Sequence, residues 1–132
     1  MSREAATDHR LTVAISSRAL FDLGESHALF ERDGLDAYRA FQMARENELL
    51  APGIAFPLVE KLLRINRLSA ETPRIEVILL SRNSSDTGLR IFNSIEHYGL
   101  EIVRAAVTNG ARTWPYVQPF GAQLFLTANH AD

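Results

Sequence analysis

The stretch spanning residues 75–100, IEVILLSRNSSDTGLRIFNSIEHYGL, constrains the fold of this chain more than any other. Residues 75–80 form a short, nearly unbroken apolar run, the pattern of a parallel strand covered on both faces. A polar turn follows at residues 81–85. From about residue 86 to residue 98 the apolar positions fall into helical register, with Leu89, Phe92 and Ile95 on one side and Ile91 and Tyr98 widening the stripe. Asp86 or Ser85 is read as the N-cap and Gly99 as the C-terminal stop. A strand that passes through a polar turn into a helix N-terminus outlines an anion site, because unpaired backbone N–H groups point out of the turn.

The rest of the sequence repeats that alternation. Residues 1–10 read as a disordered polar tail. Residues 11–15, LTVAI, read as a buried strand ending in Ser16, Ser17 and Arg18. Helical spacing then resumes, with Ser26 as cap of a segment to Phe30, an interruption at Asp33 and Gly34, and a continuation through Leu35, Tyr38 and Phe41. Pro52 and Gly53 break the chain again. Residues 56–65 are a helix with Phe56, Val59, Leu62 and Leu63 on one face. A third strand is expected over residues 101–107, one or two helical turns over residues 114–120, and a fourth strand over residues 123–126. Strands alternating with helices predict one α/β domain over residues 11–132. It is Rossmann-like, with a mainly parallel sheet and helices on both faces.

Ligands in such folds bind outside the carboxyl ends of the strands. The four predicted ends read Ser16-Ser17-Arg18, Ser81-Arg82-Asn83, Thr108-Asn109-Gly110 and Thr127-Ala128-Asn129. Polar strand ends are ordinary, since they meet solvent and turns. Hydroxyls, amides and two arginines converging on one edge would nevertheless suit a phosphate or another small anion. Asp22 and Glu25, close behind the first strand, are read as capping or solvent-facing residues.

Composition narrows the partners. A formal net charge of -2 without a basic stripe gives no support to a nucleic-acid partner. The absence of cysteine excludes disulfides, thiolate catalysis and cysteine-held metals. The four histidines lie at unrelated spacings and outline no metal cluster. The opening MSREAATDHR lacks the apolar core of a signal peptide, and no apolar run approaches the length of a membrane span, so a cytoplasmic location without a membrane partner is expected.

Four segments carry a family resemblance: VAISSRALFDL, ARENELLAPGIAFPLVEKLL, VILLSRNSSDTGLRIFNSIEHYGLEI and QLFLTAN. Together they resemble the amino-terminal part of the cytosolic 5′-nucleotidase family of the haloacid-dehalogenase-like superfamily. The resemblance implies a Rossmann-like core, a cytosolic location and magnesium-dependent hydrolysis of nucleoside 5′-monophosphates. It further implies an Asp nucleophile at the first strand end, with a second Asp two residues later as general acid and base. Here those positions read Ser16 and Arg18. The second superfamily motif, a Ser or Thr ending the next strand, is matched by Ser81. For the third, a basic residue that neutralises the transferring phosphoryl group, Arg112 is the nearest candidate. For the fourth, the acidic pair that holds magnesium, the chain offers Thr127, Ala128 and Asn129.

The expected phosphate or nucleotide ligands are therefore Ser16, Ser17, Arg18, Ser81, Arg82, Asn83 and Arg112, with no catalytic residue assigned. Magnesium is implied by the family, but its usual acidic ligands are missing. Gly34-Leu35-Asp36 and Glu46-Asn47 resemble elements of the family's carboxy-terminal half, which suggests two similar halves of which this is the degenerate one. Three functions are consistent with this pattern. The first is a domain that binds a nucleoside 5′-monophosphate or phosphate without cleaving it. The second is an active 5′-nucleotidase completed by a complementary catalytic half. The third is an assembly domain that forms a homodimer around a vestigial site.

Overall fold

The computed structural model describes residues 10–68 and 74–128. The expected tail, apart from Arg10, lies outside the described residues, as do His9, Asn129 and His130. The chain is an α/β structure of Rossmann-like type built on a four-stranded sheet in which every pairing is parallel. The strands are β1 (Leu11–Ser16), β2 (Ile75–Ser81), β3 (Arg104–Val107) and β4 (Leu124–Leu126), in the order β3-β2-β1-β4. The helices are α1 (Ser17–Leu20), α2 (Gly24–Asp33), α3 (Leu35–Ala44), α4 (Phe56–Ile65) and α5 (Leu89–His97). Single 3-10 turns occupy Asn66–Leu68 and Trp114–Tyr116.

The central strands explain why the sequence shows runs rather than alternation. One face of the sheet sets Ile15, Val77 and Leu79 against α1, α4 and α5 through Leu20, Val59, Leu63, Ile91 and Ile95. The opposite face sets Ala14, Ile78 and Leu80 against Val117, Phe120 and Phe125. Successive side chains of β1 and β2 thus enter two different apolar clusters, and both must be apolar. Helix α4 forms where the periodicity places it. It buries Phe56, Val59 and Leu63, and a proline occupies its first turn, where no intrahelical N–H is missed. At the end of α5, Gly99 turns the chain with φ 66°, and the Leu100 N–H returns to the Ile95 carbonyl at 3.1 Å.

Four expected boundaries move. Helix α5 begins at Leu89 rather than 86, with Gly88 at its N-cap and no side-chain cap. Ser84, Asp86 and Thr87 bond to one another and to the local backbone instead, the Ser84 N–H donating to Thr87 Oγ1 at 3.0 Å. Short polar side chains offer the backbone that alternative to a helical turn. Strand β3 begins at Arg104 rather than 101, and its pairing with β2 runs from Ile78↔Arg104 to Ser81↔Val107, leaving the first residues of β2 unpaired on that side. Strand β4 is reduced to residues 124–126. Ser26 lies inside the first turn of α2, its hydroxyl donating to the Leu23 carbonyl at 3.1 Å, while the Asp22 carboxylate takes the Gly24 N–H at 3.0 Å. The N-cap position is Leu23, without a side-chain cap, and Asp22 is an exposed residue just before it.

Gly53 fixes how the next segment returns to the sheet. A Cβ at this position would lie 2.7 Å from the Ala19 carbonyl oxygen and 2.8 Å from the Phe21 backbone. Only glycine lets the chain pass that close to α1.

Candidate functional site

The carboxyl ends of β1, β2 and β3 open on a cavity of about 510 Å³, roofed on one side by the α2–α3 hairpin. Ser16 ends β1 and caps α1, its Oγ accepting the Ala19 N–H at 3.2 Å. That cap turns the chain so that Ser17 and Arg18 follow directly at the cavity wall. Ser81, at the end of β2, is 1% exposed and lies beneath the wall rather than in it. Its hydroxyl donates to Ser17 Oγ at 3.1 Å and accepts from Asn83, from the backbone N–H at 3.3 Å and from Nδ2 at 3.0 Å. One buried hydroxyl thereby ties the ends of β1 and β2 together.

The two arginines of the strand ends have different duties. The Arg82 guanidinium donates to the Gly110 carbonyl from Nε at 3.2 Å and Nη2 at 2.9 Å, while the Gly110 N–H donates back to the Arg82 carbonyl at 2.6 Å. This pairing closes the turn after β3, where Asn109 and Gly110 adopt φ 51° and 94°. Arg18 is half-buried and has no hydrogen-bond or ion-pair partner among the described residues. Its charge faces the cavity uncompensated.

Helix α3 adds residues whose role the sequence did not reveal. The Tyr38 hydroxyl donates to Asn83 Oδ1 in a short hydrogen bond and accepts from Gln42 Nε2 at 3.3 Å. Burial pushes the Tyr38 hydroxyl above its ordinary pKa, so it stays a neutral donor to Asn83 at physiological pH. Arg39 pairs with Asp86 at 2.9 Å, locking the helix to the turn after β2. Tyr38 carried only a helical-spacing signal in the sequence. The one hint of more was Asn83, an amide in a strand-end turn that needs partners on both of its ends.

Asp86 offers a direct check of that turn. The Ser84 hydroxyl first, and then the Arg39 guanidinium, hold its carboxyl down from 3.8 to about 2. A depressed carboxylate stabilises the folded form above the ordinary carboxylate range and loses that contribution as pH falls through the folded value. In a carboxyl-resolved NMR titration, Asp86 should titrate near 2, and Ser84→Ala should return its midpoint toward 3.8.

Of the residues expected from the sequence, Ser16, Ser17, Arg18, Arg82 and Asn83 line one cavity, with Ser81 directly behind them. Asn109 and Gly110 join from β3. Arg112 is exposed and outside the cavity wall, and the fourth strand end meets the first through the Ala128 N–H, 3.4 Å from Ser16 Oγ. Trp114, 57% exposed, also lies outside the wall.

Among the described residues no carboxylate lines the cavity, whereas Arg18, Arg39 and Arg82 do. Magnesium takes hard oxygen ligands, carboxylates foremost, and a wall of hydroxyls, amides and guanidinium groups does not fit it. Among the described residues no cluster of three or more His, Asp or Glu could hold a metal ion. The same wall fits an anion, which it meets with donors and an unpaired cation. No helix among the described residues is long and apolar enough to cross a membrane.

Comparison with known proteins identifies the family. The family model for 5′-nucleotidase matches residues 3–132. Human cytosolic 5′-nucleotidase 1B is 34% identical over 124 residues, covering 90% of this chain and 20% of the human protein. The chain thus spans about a fifth of the length of that relative. No solved structure gives a significant match.

Proposed function

The chain belongs to the 5′-nucleotidase family, and from that premise we propose that its strand-end cavity binds a nucleoside 5′-monophosphate through the phosphate without hydrolysing it. One observation carries this reading: among the described residues Arg18 lies unpaired in a cavity wall that contains no carboxylate. A half-buried cation without a counter-charge is poorly stabilised until an anion arrives, and a phosphate monoester supplies two negative charges and several acceptors. Ser17, Arg18 and Asn83 would contact the phosphate, with Ser81 holding Ser17 and Asn83 in place and Arg82 shaping the turn beside it. Arg112 is not required.

Hydrolysis asks for more. An attacking group must be ionised or have a base beside it, and the departing oxygen must receive a proton. At the first strand end the chain has Ser16, whose hydroxyl is used in capping α1, and the cation Arg18. A haloacid-dehalogenase-like core with a degenerate first motif, and a cytoplasmic location like that in the human relative's name, belong to the same reading.

Titration calorimetry with AMP, paired with a phosphate-release assay in magnesium, tests it. Heat of binding without release is the expected result. Sustained phosphate release by the pure chain would overturn the non-hydrolytic part. Release that arises only when a complementary chain is added would favour an active nucleotidase completed by another half. Absence of binding together with a stable dimer in sedimentation would favour the assembly reading.

A further inference from the structure

We propose that the α2–α3 hairpin is the subsite for the base of the bound nucleotide, with the Phe30 ring as its stacking surface. The inference rests on the reading of the strand ends as the phosphate site, and its observations come from the opposite wall of the cavity. The two walls differ in chemistry. The strand ends present hydroxyls, amides and arginine, whereas the hairpin brings the apolar and aromatic side chains Phe30, Leu35 and Tyr38 alongside Ser26, His27 and Arg39. A ligand that fills both must carry an anion at one end and a flat, largely apolar group at the other.

The burial pattern of the hairpin points the same way. Helices α2 and α3 have ten residues each, and the side chains they bury completely are Ser26 and Gln42, both polar. Phe30 is 42% exposed and Leu35 58% exposed, both at the cavity wall. The hairpin is therefore docked by hydrogen bonds and an ion pair, Tyr38 to Asn83, Arg39 to Asp86 and Arg90 to Gln42, rather than by apolar packing. Apolar surface left open toward a cavity gains most when a ligand covers it.

The ring is also held in place before any ligand arrives. Phe30 stacks on His27 with centroids 6.3 Å apart and meets the Tyr38 ring in a T-shaped contact at 5.9 Å. Tyr38 in turn is bonded to Asn83 of the phosphate-side turn. The aromatic wall and the anion wall are thus coupled through one side chain. An aromatic face is tolerant of base identity, because every nucleobase offers a π-face. A phosphorylated sugar lacking a base has nothing to set against it.

The experiment compares AMP, ribose 5-phosphate and inorganic phosphate by calorimetry on the wild-type chain and on Phe30→Ala and Phe30→Trp. AMP should bind at least about tenfold more tightly than ribose 5-phosphate, within the range that a base–aromatic stack contributes. Phe30→Ala should remove about that factor for AMP while leaving ribose 5-phosphate and phosphate unchanged, and Phe30→Trp should retain it. Equal affinity for AMP and ribose 5-phosphate would overturn the inference and leave the phosphate site standing. A uniform weakening of all three ligands in Phe30→Ala would also overturn it, by showing a structural role for the ring. Failure of all three to bind the wild-type chain would remove the phosphate reading, and the base subsite with it.

Discussion

Arg18→Ala should weaken binding of inorganic phosphate and of AMP by roughly 10- to 100-fold, the loss expected when a charge-assisted hydrogen bond of about 1.5–3 kcal/mol is removed. The expected size follows from what Arg18 is not doing. It holds no hydrogen-bond or ion-pair partner among the described residues, so its deletion breaks no such bond among them. The melting temperature should change little while the affinity collapses. Arg18→Lys should recover part of the loss, because it keeps the charge but cannot offer the planar bidentate donor set. Salt should act in the same direction on the wild-type chain, since the cavity is open enough for screening to reach it.

Arg82→Ala provides the contrast. Its guanidinium already serves the Gly110 carbonyl, so removal should loosen the turn after β3 and lower stability as well as affinity. Two arginines at neighbouring strand ends are thus distinguished by whether stability follows binding. Unchanged phosphate affinity in Arg18→Ala would show that the unpaired cation is not the anion ligand.

The layers of the fold were legible because β1 and β2 are central strands. Residues such as Ala14 and Ile15 enter opposite apolar clusters, so both had to be apolar, and an unbroken run is the unavoidable signature. Helix α4 was legible to the residue because its burial at Phe56, Val59 and Leu63 is itself the helical period. The edges were less so. Strand β3 pairs with only four of the seven residues of β2, and no residue type records where that pairing begins.

The candidate site was half legible. Strand-end residues can be read from sequence, because the polarity of an α/β strand changes abruptly at its carboxyl end. What cannot be read is which polar group is spent on another. Ser16 is consumed in capping α1, Arg82 in holding Gly110, and Ser81 in joining two strand ends, while Arg18 is left over. Those assignments depend on contacts between residues as many as 64 positions apart. The hairpin was missed as a wall for a related reason. Its helical period resembles that of a core helix, yet Phe30 and Leu35 turn toward a cavity.

Phe21→Ala should cost about 3–5 kcal/mol, the usual penalty for deleting a buried phenyl ring. Phe21 is 0% exposed, and its ring lies 6.2 Å from that of Phe56 and 5.9 Å from that of Tyr98, which are themselves 5.1 Å apart. Three aromatic rings from α4, the end of α5 and the end of α1 meet at this point, so no single neighbour can move to fill the space. The backbone around the ring is equally committed. The Phe21 N–H bonds to the Ser17 carbonyl at 2.9 Å, and the residue bridges to Pro52. Collapse around a smaller side chain would have to disturb those bonds, which argues for the upper part of the range.

Two milder variants separate ring loss from other causes. Phe21→Leu keeps most of the volume and should cost about 1 kcal/mol. Tyr98→Phe keeps its ring but loses the hydroxyl bond to the Leu50 carbonyl, 2.7 Å long, and should also cost about 1 kcal/mol. Chemical denaturation of the three variants measures all of these. Against a total stability of about 5–15 kcal/mol for a domain of ordinary size, Phe21→Ala alone would consume a third or more of a modest reserve. The site would feel it too. Helix α1 has four residues, fixed at one end by Ser16 and at the other by the packing of Phe21, and Ser17 and Arg18 lie between. A core deletion at the end of α1, at a residue that does not itself line the cavity, should therefore weaken phosphate binding in partly unfolding conditions. A loss below about 1 kcal/mol would show that α1 is held by its cap and not by the aromatic cluster.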